Sequence, residues 1–307
     1  MDEALCRWTL RQGDRLVAYR GQAHKEPQQP LPRGILECLE KQPHPRDGDN
    51  FGLWFDKYLP LDPEDYELKK ERRGQVLRRY FIARDVGQPR SWRSAATCEY
   101  IARQSETCKL LYGAGNYCEF TARLDSRLIV DFARLSTIES SLSWHATLGV
   151  PRIPGSALKG LLRSALRHEI PAAQLRELFG APDLEQSKNS QTEHRRGRLV
   201  LHDALPEDGE FQLDLDVLTP HFRDYYDGKT APADWLSPIP QTFLTVVKTS
   251  FRVVTGLLPP LNANPAPTAA AELFEIVRDA LKEAMRIEGL GAKRAVGYGR
   301  FVLTSRS

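Results

Sequence analysis

The chain has 307 residues, of which 41% are hydrophobic and 27% charged, a composition typical of a globular protein with a sizeable core. No apolar run approaches the roughly 18 residues that a membrane span requires, and the first ten residues lack the pattern of a signal peptide. The five cysteines show no Cys-x-x-Cys spacing, so we expect reduced thiols in a cytoplasmic protein, with no disulfide framework and no metal site. The net charge of +3 indicates no partner by itself.

Charge is unevenly distributed along the chain. Residues 69–93 contain nine Lys or Arg against two acidic residues, whereas residues 203–234 contain nine Asp or Glu against two basic ones. A protein with one basic and one acidic segment can bind a polyanion on one surface and a basic protein on another. Two solvated protein surfaces explain the same pattern, so the charge distribution alone leaves both interpretations open.

The first 120 residues are predicted to form a helical, partly basic N-terminal extension. Five prolines and the turn-forming run at 47–50 interrupt the opening segment. Two helices follow, a basic one over residues 69–84 and a second from Ser91 that ends at Gly113 or Gly115. Residues 121–307 are predicted to form the main domain.

The order of predicted elements in residues 121–307 indicates an α+β fold. We predict strands over 127–133, 198–203, 211–217, 242–255 and 300–304, and helices over 156–168 and 268–287. The turn residues Asp208 and Gly209 predict that the second and third strands form a hairpin. Strand–helix–strand repeated twice is the order of a ferredoxin-like (RRM-like) domain, here elaborated by one extra strand and by an insertion at about 219–241.

A glycine-rich segment near the end of the chain surrounds two adjacent cations, Lys293 and Arg294. Its glycines are Gly289, Gly291, Gly297 and Gly299. Glycine allows backbone conformations with positive φ and close approach to another molecule. The pattern predicts a contact with a phosphate backbone, although a helix C-cap followed by a tight turn would explain a single glycine equally well.

A second basic motif lies at the start of the predicted helix over 156–168. Pro154 and Gly155 form a turn, and Ser156 is a good N-cap residue. Lys159, Arg163 and Arg167 then recur every four residues and form a cationic stripe, with Arg152 just before the turn. Free backbone N–H groups, a hydroxyl and a lysine in the first helical turn predict an anion site.

Nucleotide cofactors and metal ions are not expected. The segment around Lys159 lacks the Gly-Lys-Ser/Thr ending of a P-loop, and the glycine-rich segment has Arg294 where a dinucleotide fingerprint requires glycine. Asp214 and Asp216 share one face of a predicted strand, but no third ligand at close spacing completes a metal site. We therefore expect no cofactor and interpret the two carboxylates as part of an acidic contact surface.

These motifs together resemble a known family. GVPRIPGSALKGLLRS followed by GLGAKRAVGYGRF resembles the RAMP superfamily of CRISPR-associated RNA-binding proteins. More narrowly, WHATLGVPRIPGSALKG, LVLHDALP, LDLDVLTPHFRDYY and PIPQTFLTV, in this order, look like a subunit of the Cmr (type III-B) effector complex. The resemblance covers residues from about 121 to the end and does not extend to the first 120.

The resemblance implies a non-catalytic subunit for antiviral defence that binds the guide RNA (crRNA) near its 3′ end and caps a filament of backbone subunits. It implies crRNA, target RNA, the backbone RAMP subunit, a small helical subunit and a second RAMP cap subunit as partners, with no membrane. Carried over to this chain, Ser156, Lys159, Lys293 and Arg294 would hold the guide backbone. The insertion at 219–241 would form a thumb-like segment.

Other residues of the predicted site are more open to interpretation. Phe222, Tyr225 and Tyr226 in the insertion could stack on bases, or belong to a small core or protein contact. His145 could contact RNA, or act as general acid or base if the chain is instead a metal-independent guide-processing ribonuclease. Relatives that cut target RNA use an Asp between the first strand and the motif helix. Residues 134–150 contain no Asp, which favours a subunit that binds RNA without cutting it.

Overall fold

The computed structural model describes two compact units. The residues it describes are 7–10, 17–20, 25–29, 31, 33–61, 68, 70–82, 91–113, 115–132, 138, 140–180, 196–219, 228, 231, 240–259 and 269–305. Unit 1 comprises Met1–Ser91, Phe132–Leu142 and Leu213–Thr245, and unit 2 comprises Trp92–Asp131, Ser143–Gln212 and Val246–Ser307. Both helices and antiparallel sheets are present, which confirms the predicted α+β class.

Unit 1 begins with an antiparallel three-stranded sheet that the sequence did not predict. Its strands are β1 (Arg7–Leu10), β2 (Val17–Arg20) and β3 (Lys25–Gln29), in that order across the sheet. The strands are short and β3 contains Pro27, which lacks a backbone N–H and normally argues against a strand away from a sheet edge. The N-terminal region is therefore not purely helical.

The helices of unit 1 follow this sheet and enclose an aromatic core. They are α1 (Arg33–Lys41), α2 (Phe51–Leu53) continued by a π-helical turn (Trp54–Tyr58), and α3 (Lys70–Phe81). Phe55 and Phe81 are buried with ring centroids 5.8 Å apart. The predicted basic helix thus corresponds to α3, whose apolar face points into this core.

Unit 2 is built on a sheet in which β5 (Tyr117–Leu124) is flanked by two antiparallel neighbours. On one side β10 (Ser250–Leu257) places Ser250 opposite Arg123, and on the other β11 (Phe301–Ser305) places Phe301 opposite Leu124. The short strands β6 (Leu199–Leu201) and β7 (Leu205–Pro206) pair with β10. The order across the sheet is therefore β11, β5, β10, β6.

Four α-helices lie in the described part of unit 2. They are α4 (Ala95–Tyr112), α5 (Gly155–Leu166), α6 (Ala172–Phe179) and α7 (Ala270–Ile287). The helices α5 and α7 pack against each other through apolar faces with the period of a helix, as predicted for both segments. Their buried residues are Leu158, Leu161, Leu162 and Leu166 of α5 and Leu273, Val277, Leu281, Ala284 and Met285 of α7.

The structure corrects two of the predicted strands and the predicted hairpin. The predicted strand over 127–133 is not formed by its described residues, 127–132, because only Leu128 bridges to Val246 and the carbonyls of Arg127, Ile129 and Val130 accept hydrogen bonds from other segments. The predicted hairpin is absent, although Gly209 does turn the chain. β6 pairs with β10, whereas β8 (Glu210–Leu218) lies in a separate sheet between β4 (Ser91–Arg93) and β9 (Gln241–Val247).

The β-branched run at 242–255 is two strands. These are β9 (Gln241–Val247) and β10, separated by a turn at Lys248 and Thr249. Lys248 has φ of 45°, a left-handed conformation at a position without glycine, proline or asparagine, so no turn residue marks this turn in the sequence. The predicted domain boundary at 120/121 falls inside β5, and the chain passes between the two units at several positions, of which the first lies between Ser91 and Trp92.

Replacement of Gly256 by alanine tests the packing of α4 on the sheet. A Cβ at this position would lie 2.3 Å from the ring of Tyr112, whose hydroxyl is hydrogen-bonded to His202 Nε2 at 2.9 Å. We expect Gly256→Ala to lower the free energy of unfolding by roughly 1–3 kcal/mol because the ring must move. Gly160→Ala is the matched control, since its Cβ would meet nothing within 4 Å and alanine favours helix. Equal thermal unfolding midpoints for the two variants would contradict this packing.

Candidate nucleic-acid interface

The glycine loop, residues 289–300 between α7 and β11, is fixed to the segment that follows β5. Ala292 N–H donates to the carbonyl of Ile129 at 2.8 Å, and Gly299 N–H donates to that of Arg127 at 2.7 Å. Within the loop, Leu290 N–H donates to the Gly299 carbonyl at 2.8 Å. The loop is therefore closed on itself and attached to unit 2 at two points.

Close packing of the chain on itself explains most of the predicted glycines. A Cβ on Gly299 would lie 1.9 Å from the Leu290 carbonyl oxygen, and one on Gly291 would lie 2.1 Å from that of Ile129. Gly289 likewise faces the Gly299 carbonyl at 2.8 Å. Only Gly297, with φ of 91°, would meet nothing within 4 Å. Of the four glycines, Gly297 alone leaves the backbone open to another molecule.

The tip of the glycine loop presents its cations on a 3₁₀ turn, Arg294–Val296. Lys293 precedes the turn in a left-handed conformation, with its ammonium 5.3 Å from the centroid of the Tyr298 ring. Arg294 and Val296 are exposed. The tip thus combines a positioned lysine, an exposed arginine and an exposed apolar side chain.

The start of α5 differs from the prediction, because Ser156 is not its N-cap. The helix begins at Gly155, whose N–H donates to Asp203 Oδ1 at 2.9 Å, while Ser156 is exposed. The other oxygen of Asp203 forms an ion pair with Arg152 at 2.7 Å. A carboxylate of the chain itself therefore occupies part of the anion site predicted at this helix end.

Gly155 is required for this arrangement. A Cβ at this position would lie 2.0 Å from the carbonyl oxygen of Leu201, so no other residue allows α5 to begin so close to β6. The sequence signal for Asp203 as the partner was weak, because 48 residues separate it from Gly155. Asp203 and its contact with Arg152 are parts of this candidate site that sequence reasoning missed.

The cationic stripe on α5 divides into an anchored and a solvent-facing part. Lys159 Nζ donates to the Leu199 carbonyl at 2.8 Å, and burial, followed by the charge of Arg163, lowers the pKa of Lys159. Lys159 therefore attaches α5 to β6. Arg163 is half-buried one turn further along and Arg167 is exposed, so these two guanidinium groups are the accessible charges of the stripe.

His145 lies in a tight turn beside the start of α5. Its Nδ1 accepts a hydrogen bond from Leu148 N–H at 3.3 Å, and its ring packs edge-on against Tyr100 with centroids 5.4 Å apart. Burial, followed by the charge of Arg152, lowers the pKa of His145, while Asp203 raises it. The lowered pKa favours the neutral form of the imidazole. Tyr100 is distant in sequence and was not predicted as a neighbour.

A continuous series of backbone hydrogen bonds joins the two basic motifs. Val130 follows Ile129, which holds the glycine loop, and its carbonyl accepts from Ser143 N–H at 2.9 Å. The Ser143 carbonyl accepts from Arg152 N–H at 2.9 Å, directly before the start of α5. Two motifs that are far apart in sequence are therefore fixed on one rigid framework within unit 2.

The sheet face that carries Glu119 and Thr121 has a different chemistry. Arg252 forms an ion pair with Glu207 at 3.2 Å and another with Glu119, and Thr121 Oγ1 donates to Glu207 Oε1 at 3.0 Å. Two carboxylates repel phosphate groups, which disfavours an RRM-type arrangement with RNA lying across the sheet. The cations of the site lie at the sheet end and on α5.

The structure corrects the argument that a missing Asp between the first strand and the motif helix disfavours RNA cleavage. Because the first strand of unit 2 is β5, the segment between it and α5 spans residues 125–154. This segment contains Asp125 and Asp131, which are both exposed, and Asp131 has φ of 61°. The absence of Asp from 134–150 therefore carries no argument about cleavage.

Some expectations cannot be followed in the structure. Phe222, Tyr225 and Tyr226 lie outside the described residues. Within the described ranges, no group of three His, Cys, Asp or Glu side chains is arranged to hold a metal ion. Among the helices described, none combines the length and apolar character needed to cross a membrane.

Comparison with known proteins gives the family. The profile of the RAMP superfamily matches residues 110–302. This chain belongs to the RAMP superfamily. The matched residues include the glycine loop, α5 and all strands of the unit 2 sheet except the last residues of β11. The resemblance seen in the sequence motifs is therefore confirmed.

Individual relatives of this RAMP chain carry the name Cmr6. The Cmr6 subunit of Pyrococcus furiosus is 29% identical over 236 residues, which cover 59% of this chain and 66% of the relative. That of Saccharolobus solfataricus is 29% identical over 168 residues, covering 54% and 49%. The chain thus spans between half and two thirds of the length of these curated relatives. A chain in the cryo-EM structure of Type III-B Cmr-beta bound to cognate target RNA shares the fold, with a TM-score of 0.50 and 23% identity over 69% of this chain and 66% of that one.

Replacement of Asp203 tests the start of α5. Asp203→Ala removes both the acceptor for Gly155 N–H and the partner of Arg152, and we expect a loss of about 1–2 kcal/mol in the free energy of unfolding. Asp203→Asn keeps a side-chain acceptor and should lose less. Urea unfolding followed by circular dichroism measures both variants. An Asp203→Ala variant as stable as the parent chain would show that the contact contributes nothing.

Proposed function

We propose that this chain is a crRNA-binding subunit of a type III-B Cmr effector complex for antiviral defence. The observation that carries the proposal is the hydrogen-bonded framework that fixes the glycine loop and the start of α5 relative to each other. A rigid frame with cations at both ends can hold a phosphate backbone without reading its sequence. The Cmr6 names of the relatives support the assignment to this complex.

A ferredoxin-like core is the fold we infer for unit 2. The sheet order β11, β5, β10, β6 corresponds to fourth, first, third and second strand, with α5 after the first and α7 after the third. In this arrangement the glycine loop lies between the second helix and the last strand. The thumb-like role of the insertion at 219–241 stays a prediction.

The proposed grip uses the accessible cations of the site. Arg163, Lys293 and Arg294 would contact phosphates, and Gly297 would let the RNA backbone approach the loop. Lys159 acts mainly as a positioning residue, since its ammonium already donates to Leu199. Arg152 is held by Asp203, and Ser156 offers an exposed hydroxyl in the first turn of α5.

The proposal includes a place for the chain in the complex, which rests on the resemblance of its sequence motifs. We propose that the chain caps the filament of backbone subunits near the 3′ end of the guide. Its partners would then be crRNA, target RNA, the backbone RAMP subunit, the small helical subunit and the second RAMP cap subunit. The structure of Type III-B Cmr-beta was determined with cognate target RNA, which supports target RNA as a ligand of the assembly.

A non-catalytic role fits the environment of His145. A neutral imidazole has one acceptor nitrogen, and here Nδ1 already accepts from Leu148 N–H. It is thus poorly suited to take the proton of a ribose hydroxyl.

One observation favours the alternative function, a metal-independent guide-processing ribonuclease. Tyr100 packs against the imidazole of His145, so a second titratable side chain lies beside the histidine.

Removal of two accessible cations tests the RNA grip. We expect Arg163→Gln with Arg294→Gln to weaken binding of a single-stranded guide RNA roughly ten- to hundredfold. The slope of log affinity against log salt should fall by about 1.4, because two fewer phosphates release counterions. Lys109→Gln with Lys282→Gln is the matched control, since it removes the same charge from exposed sites on α4 and α7. Unchanged affinity and slope in the first variant would refute the grip.

Incubation with repeat-containing RNA decides between binding and cleavage. We expect the purified chain to bind this RNA and to leave it intact during the incubation, with or without a divalent metal. Metal-independent cleavage lost in His145→Gln would establish the ribonuclease instead. Cleavage lost in Asp131→Asn would assign the activity to the exposed aspartate between β5 and α5. Gel analysis of end-labelled RNA distinguishes these outcomes.

A further inference from the structure

Three non-glycine residues within the described ranges have left-handed backbones: Asp131, Lys248 and Lys293. This conformation is strained for residues with a Cβ, and glycine or asparagine is the usual choice. Two of the three are lysines. A lysine in place of a residue that would relieve the strain indicates that its side chain has a function.

Lys248 and the glycine loop lie at the same end of the unit 2 sheet. Leu124 N–H, at the end of β5, donates to the Thr249 carbonyl at 3.0 Å, which attaches the β9–β10 turn to one side of β5. On the other side, Asp125 N–H donates to the Arg300 carbonyl at 2.9 Å, next to the glycine loop. The end of β5 therefore separates two loops that each carry a strained lysine.

Arg123 supplies a further cation between these loops. In the register of the sheet it lies between Ser250 of β10 and Val302 of β11. Because Ala122 and Leu124 are buried, the exposed side chain of Arg123 points to the opposite face. Among the described residues, no carboxylate lies within ion-pair distance of Arg123 or Lys248, both of which are exposed.

The balance of charge at this sheet end is positive. Besides Arg123 and Lys248 it carries Arg127, Lys293, Arg294 and Arg300, against the exposed carboxylates of Asp125 and Asp131. The carboxylate of Glu207 also lies here, beside Ser250, and is neutralised by its ion pair with Arg252. The Nη1 atom of Arg300 is buried and has no hydrogen-bond partner among the described residues. Such a concentration of guanidinium and ammonium groups fits a polyphosphate ligand.

We propose that Arg123 and Lys248 form a second contact with the phosphodiester backbone of the bound RNA. The RNA would pass from the glycine loop across the end of β5 to the β9–β10 turn. This inference rests on the proposed function and extends it, because it assigns a path to the RNA beyond the two sequence motifs. Both side chains are long and exposed, and among the described residues neither has a carboxylate partner, so they can contact a backbone without selecting a sequence.

The test uses two variants of the full chain: the double variant Arg123→Gln with Lys248→Gly, and the single variant Lys248→Gly. Fluorescein-labelled single-stranded RNAs of about 6 and about 30 nucleotides are titrated at several KCl concentrations. For the longer RNA we expect roughly tenfold weaker binding, and a salt slope smaller by about 1.4. The short RNA can be held by the glycine loop and α5 alone, so its affinity for the double variant should equal its affinity for the parent chain. Lys109→Gln with Lys282→Gln is the control of equal charge.

Lys248→Gly separates binding from stability. Since glycine relieves the left-handed strain, its thermal unfolding midpoint should equal or exceed that of the parent chain, while affinity for the longer RNA falls. Unchanged affinity and slope in both variants, with the parent chain binding RNA, would overturn the second contact but leave the proposed function intact. If the variants bind RNA normally but fail to assemble with the other Cmr subunits, this sheet end binds an acidic protein and the inference is wrong. A parent chain that binds neither RNA would instead overturn the proposed function.

Discussion

The carbonyl groups of Arg127, Ile129 and Val130 are the constraint on which the rest of the site depends. A buried backbone segment outside a sheet must find partners for its polar groups, and here the partners are the two basic motifs. Arg127 and Ile129 hold the glycine loop, and Val130 holds the segment that leads through Ser143 to α5. One short stretch of chain thereby determines the geometry of the whole interface.

Asp203 changes how an anion can be bound at α5. A helix N-terminus attracts phosphate through its free N–H groups, but an internal carboxylate already accepts from Gly155. An incoming phosphate would meet that negative charge. The accessible attraction therefore comes from Arg163 and Arg167 further along the helix, whereas Arg152 and Lys159 mainly maintain the position of α5.

Local sequence patterns predicted the helices, whereas contacts between residues distant in the chain could only be seen in the three-dimensional structure. The helices α5 and α7 follow from apolar periodicity, and the end of α4 at Gly113 follows from a glycine C-cap with φ of 78°. The segment at 127–133 has the composition of a strand, but its carbonyls are used by other loops. The turn at Lys248 carries no turn residue. The contacts of Gly155 with Asp203 and of His145 with Tyr100 join distant positions, so no spacing rule could reveal them.

The glycine loop has a closely packed base and an open tip. Gly289, Gly291 and Gly299 cannot accept a side chain without displacing a carbonyl, whereas Arg294, Ala295 and Val296 are exposed on a single 3₁₀ turn. Natural variation can therefore change the charge and bulk of the tip while the fold stays constant. A family built on this loop can diversify the strength with which its members bind nucleic acid by a few substitutions, and an engineer can retune the same positions one at a time.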